Sequence, residues 1–261
     1  MKRWAPNIAS LATSGTLLAL AIPCSRVAGQ EADSTGPAVR RLLLRPAFYF
    51  SNTDGDARGG TQPPYTIAME DSVLAVNWTG QAEYNAGRFA ALADVAWSTT
   101  KNVALLEPAG RPTQYDFRLL TADAVIGYQP GTRDDRAQML IFVGARYYRT
   151  EVRLTDSASA TAVGMHTEDW LAPVLGSRGR VRIARRMEGW VRFDISARAA
   201  PKDLAAFTWL LHLGVDWWIV GPAGLTVQYR YMQIDTGRTG SRSLAYDGPS
   251  QGWVTGLSFR F

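Results

Sequence analysis

Gly252-Trp253-Val254-Thr255-Gly256-Leu257-Ser258-Phe259-Arg260-Phe261 alternates without a break. Trp253, Thr255, Leu257, Phe259 and Phe261 share one parity; Val254, Gly256, Ser258 and Arg260 share the other. A strand sends successive side chains to opposite faces. One face of this segment is therefore mostly apolar and aromatic, and the other is small or charged. The last residue is an aromatic carrying a free carboxylate. Chain termini usually fray, whereas a strand that closes a membrane barrel often ends this way.

The opening residues agree with that address. Lys2 and Arg3 precede an uncharged apolar or small stretch, Ile8 to Ile22, and the small residues Val27-Ala28-Gly29 stand before Gln30. This is the pattern of a secretory signal, and the apolar run is shorter than the ~20 residues a spanning helix needs. The expected organisation is a cleaved signal at 1–29, a periplasmic segment at 30–41 and a barrel at 42–261, exported to the outer membrane of a Gram-negative cell. Cys24 raises the alternative of an acylated lipoprotein, for which Pro23 is a poor preceding residue. Cleavage after Gly29 removes Cys24, the only cysteine. Disulfides, thiolate metal sites and a cysteine nucleophile are then excluded.

The sequence carries 28 Lys+Arg against 23 Asp+Glu, and Lys2, Arg3 and Arg26 fall in the expected signal. The remainder is close to neutral, so the basic balance gives no argument for nucleic-acid binding. Lysine occurs only at 2, 101 and 202. The other positive charges are arginines, which pair bidentately with carboxylates and stay charged when enclosed.

No later run approaches 18 apolar residues, which excludes a spanning helix. What recurs is alternation interrupted by turn residues. Ten segments show it: Leu42 to Phe50, Val73 to Tyr84, Arg88 to Ser98, Tyr115 to Tyr128, Gln138 to Thr150, Trp170 to Ile183, Trp190 to Arg198, Phe207 to Ile219, Leu225 to Ile234 and the final strand. Pro46 marks an irregularity in the first. Short turns such as Asn85-Ala86-Gly87 and Gly221-Pro222-Ala223 alternate with longer polar connections, 51–69, 99–114, 153–168 and 236–248. Short periplasmic turns and long outer loops are what an outer-membrane barrel requires. The fold expected is all-β: an antiparallel up-and-down transmembrane β-barrel of about ten strands, with eight or twelve as alternatives.

The apolar parity supports a bilayer. Phe89 and Trp97, Trp209 and Trp217, and Trp253 and Phe261 each stand eight residues apart on one strand. At ~3.3 Å per residue and a tilt of ~40°, that spacing rises roughly 20 Å, near the ~25 Å apolar band between aromatic girdles. A soluble β-sandwich also alternates but imposes no such spacing.

Four further pieces carry a likeness: Val143-Gly144-Ala145-Arg146-Tyr147-Tyr148, Pro173-Val174-Leu175-Gly176-Ser177-Arg178-Gly179-Arg180, Tyr229-Arg230-Tyr231-Met232, and Gly248-Pro249 before the terminal strand. From about Phe142 to Phe261 the chain resembles the uncharacterised outer-membrane β-barrel proteins of Gram-negative bacteria. It departs from them at Ala172, where an acid is frequent, and at Ala197-Arg198-Ala199-Ala200, where glycines are. The resemblance implies a barrel whose C-terminal strand, with Trp253, Leu257, Phe259 and Phe261, is read by the barrel-insertion machinery. It implies no activity.

If the apolar parity faces lipid, the lumen receives Asp94, Asp123, Arg146, Tyr148, Arg178, Arg192, Asp194, His212, Asp216, Arg230 and Arg260. Asn77, Gln81, Glu83, Thr121, Arg180 and Gln228 point the same way. In so narrow a barrel, Arg and Asp from facing strands can pair and fill the interior. Three roles follow. The first is a structural or surface-interacting barrel with long outer loops and an extracellular ligand. The second is a narrow channel for small anions or polar solutes. The third is an outer-membrane protease or lipid-modifying enzyme. His166, in the expected loop Met165-His166-Thr167-Glu168-Asp169, fits no catalytic motif. Lumenal His212 reads as a neutral, hydrogen-bonded histidine. Asp54 and Asp56 lack the remaining ligands of a calcium loop and read as a turn. Tyr65 and Tyr115 are outer aromatics that pack or contact a partner. No metal, cofactor or catalytic set is expected; the expected partners are outer-membrane lipid and the insertion machinery.

Overall fold

A computed structural model describes residues 40–59, 65–69, 75–107, 111–130, 136–159, 162–198, 206–236 and 245–261. The expected signal, residues 30–39 and Leu74 lie outside the described residues. Ten long antiparallel strands close a barrel: β1 (Arg40–Thr53), β4 (Ala75–Ala86), β5 (Phe89–Glu107), β6 (Arg111–Tyr128), β7 (Ala137–Asp156), β8 (Ala162–Ala184), β9 (Met187–Arg198), β10 (Ala206–Val220), β11 (Ala223–Asp235) and β12 (Ala245–Arg260). The first strand meets the last in a register running from Leu43↔Arg260 to Thr53↔Ser250. Closure leaves the sheet without an open edge at this level. Pro46 interrupts the ladder to β12 without shifting its register, while β1 pairs β4 continuously from Arg40 to Ser51.

Two short strands, β2 (Gly55–Gly59) and β3 (Tyr65–Met69), form a hairpin in what the sequence suggests is the first outer loop. The hairpin continues the wall above β1 and β4: β2 pairs β12 at Ala57↔Tyr246, and β3 pairs β5 at Ile67↔Leu106. Gly55 starts it with a φ of 129°. A Cβ there would lie 2.3 Å from the Asp247 carbonyl oxygen, so backbone conformation and space both require glycine.

The expected outer loops are largely strand. The 99–114 connection shrinks to the residues between Glu107 and Arg111, and 153–168 to those between Asp156 and Ala162. His166 therefore stands within β8 opposite Val152. Asp56 lies in β2, and Asp54 is a one-residue break rather than the expected turn, because Thr53↔Ser250 and Asp56↔Asp247 keep one register against β12. Tyr65 belongs to β3, and Tyr115 is buried on β6.

The reason for the difference lies in side-chain chemistry. Low on β6, Thr121 and Asp123 point in while Ala122, Ala124 and Ile126 point out. Higher on the same strand, Tyr115, Phe117 and Leu119 are buried while Asp116 and Arg118 face out. The backbone parity is unbroken; the preference of its two faces reverses where lipid gives way to water. A pattern sought as apolar-out ends at that boundary although the strand does not.

The lower wall presents an apolar belt. Phe89 contacts Tyr128 at 5.7 Å between ring centroids. At the upper level Phe193, Trp209 and Tyr231 form a row, with centroid distances of 6.4 and 4.9 Å, and Tyr229 meets Trp253 at 5.3 Å. Phe89, Trp253 and Phe261 are 66%, 60% and 65% exposed, an exposure that suits hydrocarbon and interface rather than water.

Candidate functional site: the filled lumen

The lumen is crossed by ion pairs in several directions. Arg45 of β1 reaches Asp216 of β10, with Nε 3.1 Å and Nη2 2.7 Å from the carboxylate, and Ser258 donates to the same group at 2.8 Å. Glu83 of β4 accepts from Arg178 at 2.5 Å, Arg180 at 2.7 Å and Asn85 at 2.7 Å. Arg230 of β11 spans to Asp94 of β5 at 2.6 Å and Thr121 of β6 at 3.2 Å. Arg45–Asp216 joins strands three apart around the ring, and Arg178–Glu83 and Arg230–Asp94 join strands four apart, so these ion pairs brace walls that are not neighbours.

A four-membered set lies beside them. Asp123 and Arg146 are register partners on β6 and β7, joined at 2.5 and 2.7 Å. Arg192, two residues before Asp194 on β9, donates to Asp123 at 2.6 Å and to Asp194 at 2.8 Å. Arg146 closes the ring with Asp194 at 2.8 Å. Strand β8 lies between and contributes Gly176, where a Cβ would come 2.5 Å from the Asp194 Cβ. The missing side chain lets β9 reach across to β6.

Aromatic faces complete the layer. The guanidinium carbons of Arg45 and Arg178 lie 5.2 and 4.7 Å from the Trp190 ring centroid, and His212 meets the same ring edge-on at 4.8 Å. Trp190 fits because β10 has glycine at 214, where a Cβ would fall 2.5 Å from the indole. The Gln81 amide nitrogen is 3.4 Å from His212 Nδ1 and 3.4 Å from Gln228 Oε1. Arg260 lies toward the end of the barrel with the short turns and stacks on Trp218 at 4.4 Å instead of joining Arg146 and Arg230. Of the lumenal set expected from sequence, Asp94, Asp123, Arg146, Arg178, Arg192, Asp194, His212, Asp216 and Arg230 all lie in this layer, fully or almost fully buried.

The polar filling stops above it. Tyr148 hydrogen-bonds Thr208 and stacks on Trp170 at 4.8 Å. Beyond that point the interior is an apolar core containing Phe117, Leu154, Leu210, Ile234 and Tyr246, capped by Ala57, Ile67 and Met69 of the β2–β3 hairpin. Tyr246 donates to the Asp54 and Pro249 carbonyls at 2.8 and 3.0 Å, which ties the hairpin to β12. Burial pushes the Tyr115 hydroxyl up to about 12 and the Tyr246 hydroxyl well above its ordinary value.

Sequence reasoning missed Arg45, Arg41, Glu188 and Trp190. Arg41 and Arg45 share parity with buried Leu43 and Tyr49 and alternate with Leu42, Leu44 and Phe48, a signal obscured by Pro46 and the inward leucine. Glu188, which pairs with Arg180 at 2.7 Å and Arg41 at 3.4 Å, sits before the segment recognised as strand. Among the described residues no group of His, Cys, Asp and Glu is arranged to hold a metal.

An antiparallel ten-stranded barrel with a lipid-compatible exterior and an interior packed with charge defines the class: an outer-membrane β-barrel protein. Among solved structures the chain is similar to the outer membrane protease OmpT from Escherichia coli, with a TM-score of 0.56 and 8% identity over 85% of this chain and 97% of that one. It is also similar to OprG from Pseudomonas aeruginosa (TM-score 0.42, 8% identity, 87% and 98% covered) and to Ail, the attachment invasion locus protein of Yersinia pestis (TM-score 0.36, 9% identity, 87% and 100% covered). At 8% identity the likeness to OmpT is one of fold. No protein-family model matches the chain, and no curated protein matches it.

Proposed function

We propose that this protein is a non-conducting barrel of the outer membrane that works as an envelope scaffold and meets extracellular partners through its outer extension. One observation carries the reading: ion pairs brace the lumen across several diameters, and the cavity lined by Arg45, Glu83, Asp94, Arg178 and Trp190 measures only about 10 Å³, room for no more than about one water. A solute path needs a continuous lumen, and here the apolar core above the charged layer adds a second seal. Planar-bilayer recording of purified protein tests the reading. The expected result is no resolved unitary conductance; reproducible steps that survive repurification overturn it.

The partners follow from the surfaces. The apolar belt contacts lipid. The final strand, with Trp253, Leu257, Phe259 and Phe261 at outward positions, is the segment the insertion machinery reads. Outward residues above the belt, including Asp116, Arg118, Glu151 and Arg153, form a mixed-charge wall with pairs of 3.2 to 3.5 Å, which suits contact with a polar extracellular ligand.

A further inference from the structure

The tip joining β8 to β9 is chemically unlike the other periplasmic turns. It reads Arg182-Ile183-Ala184-Arg185-Arg186-Met187, three guanidiniums within five residues and no acid. All six residues are exposed. The lumenal arginines each sit on a carboxylate or an aromatic face. By contrast, the side chains of Arg182, Arg185 and Arg186 make no ion pair or hydrogen bond within the described residues. Their main chain is fixed: Arg182 N–H donates to the Arg136 carbonyl at 2.7 Å, and the Arg186 carbonyl accepts from Trp218 at 2.8 Å.

The surroundings specify the depth of this tip. Met187 is the register partner of Trp217, a lower-belt aromatic. Ile183 and Met187 are outward and exposed, and Val220, at the neighbouring β10–β11 turn, is 72% exposed. The apolar surface of the belt thus runs uninterrupted into the arginine cluster. A side chain such as Val220 is favourable there only against acyl chain, and a guanidinium beside it falls where lipid phosphates lie.

We propose that the β8–β9 tip is a binding site for anionic phospholipid of the inner leaflet, with Arg185 and Arg186 at the turn holding the headgroup phosphate, Arg182 adding positive charge at the barrel mouth from the inward parity opposite Glu188, and Ile183, Met187 and Val220 lying along its acyl chains. Arginine suits the task because its planar donor fork matches phosphate oxygens. The site rests on the membrane placement of the barrel and is independent of whether the lumen conducts.

The test uses the full barrel reconstituted in phosphatidylcholine vesicles containing either spin-labelled phosphatidylglycerol or spin-labelled phosphatidylcholine. The relative association of the two probes with the protein is read from the motionally restricted spectral component. Wild type is expected to prefer phosphatidylglycerol roughly fivefold at low salt, the preference of about one effective surface arginine, and to lose most of it at 1 M salt. Combined Arg182→Gln, Arg185→Gln and Arg186→Gln substitution is expected to bring the ratio to about one while leaving folding, judged by heat-modifiable electrophoretic mobility, intact. Substituting Arg118→Gln and Arg153→Gln, whose side chains already sit on Asp116 and Glu151, is expected to leave the ratio unchanged. Equal association of both probes with wild type overturns the proposal, including the case in which the tip binds an acidic protein instead. So does a preference that survives the triple substitution. A failure to insert into vesicles at all is a failure of the membrane reading and is seen separately in the mobility assay.

Discussion

Arg146 shows what single residues contribute. It is fully buried and serves both Asp123 and Asp194, so its removal leaves two carboxylates short of a partner inside a medium that solvates them poorly. Breaking one side of such an arrangement costs about 3–5 kcal/mol. Arg146→Met is therefore expected to lower stability by about that amount, read as a shift in the urea midpoint by tryptophan fluorescence in lipid or detergent. Gly176→Val is expected to be damaging for a different reason, since its Cβ would overlap Asp194 and Phe142 within 2.6 Å, an overpacking cost of about 1–3 kcal/mol. At the outer rim, burial together with nearby Asp235 and Asp56 raises the Asp247 carboxyl above the ordinary carboxylate range, with Arg58 opposing. The folded state thus favours the protonated form. The associated stability is present below the unfolded value of ~4 and is lost as pH rises through the raised folded value. Asp247→Asn is expected to flatten the pH dependence of the unfolding midpoint across that window; an unchanged slope contradicts the assignment.

At the scale of the element, the reversal of face preference explains both what was legible in the sequence and what was not. The ten strands, their facing and most of the buried charges could be read because lipid outside and polar filling inside make each strand alternate strongly. Arg192 and Asp194 against Val191 and Phe193 is one example. The upper halves of β5 to β8 were hidden because there Lys101, Asp116, Glu151 and Asp169 face out, and a search keyed to apolar-out reads such residues as loop. Which arginine meets which acid was not legible either, because Arg45–Asp216 and Arg178–Glu83 depend on the diameter and stagger of the closed sheet rather than on local spacing. The reversal has a direct test on β6. Position 118 carries an outward arginine in the natural chain, and position 124, on the same face, carries alanine. Ala124→Arg places that charge near the middle of the apolar band, so it is expected to cost about 2–4 kcal/mol in vesicle-based equilibrium unfolding. Arg118→Leu is expected to change stability by less than about 0.5 kcal/mol. Equal costs at the two positions contradict the placement of the bilayer.

For the whole molecule, the two interior layers have separable tasks. Closure of β1 on β12 and the ion-pair layer define the ten-stranded cylinder, while the β2–β3 hairpin covers the apolar core above it. Replacing residues 55–69 with a flexible glycine–serine linker is expected to leave a heat-modifiable, inserted barrel. It is also expected to expose the outer core, detected as faster cleavage of the outer half of β5 to β8 by added protease. A variant that fails to insert at all shows instead that the hairpin is part of the folding unit.

The face reversal also acts as a draught mark on a hull. Each of β5 to β8 carries a lower stretch that is comfortable only in hydrocarbon and an upper stretch that is comfortable only in water. The change from Ala122 to Arg118 on β6, echoed from Val143 to Arg149 on β7, fixes the waterline. Sinking the protein by a turn of the pleat submerges Arg118 and Arg149; raising it strips lipid from Phe89 and Phe261. The depth of immersion is therefore written into the wall itself, and the outer extension stands roughly 23 Å clear of the upper aromatic row, taking about nine further residues at ~3.3 Å and a tilt of ~40°. The upper ends of β5 to β8 thus stand as a β-walled extension at a set height above the apolar belt.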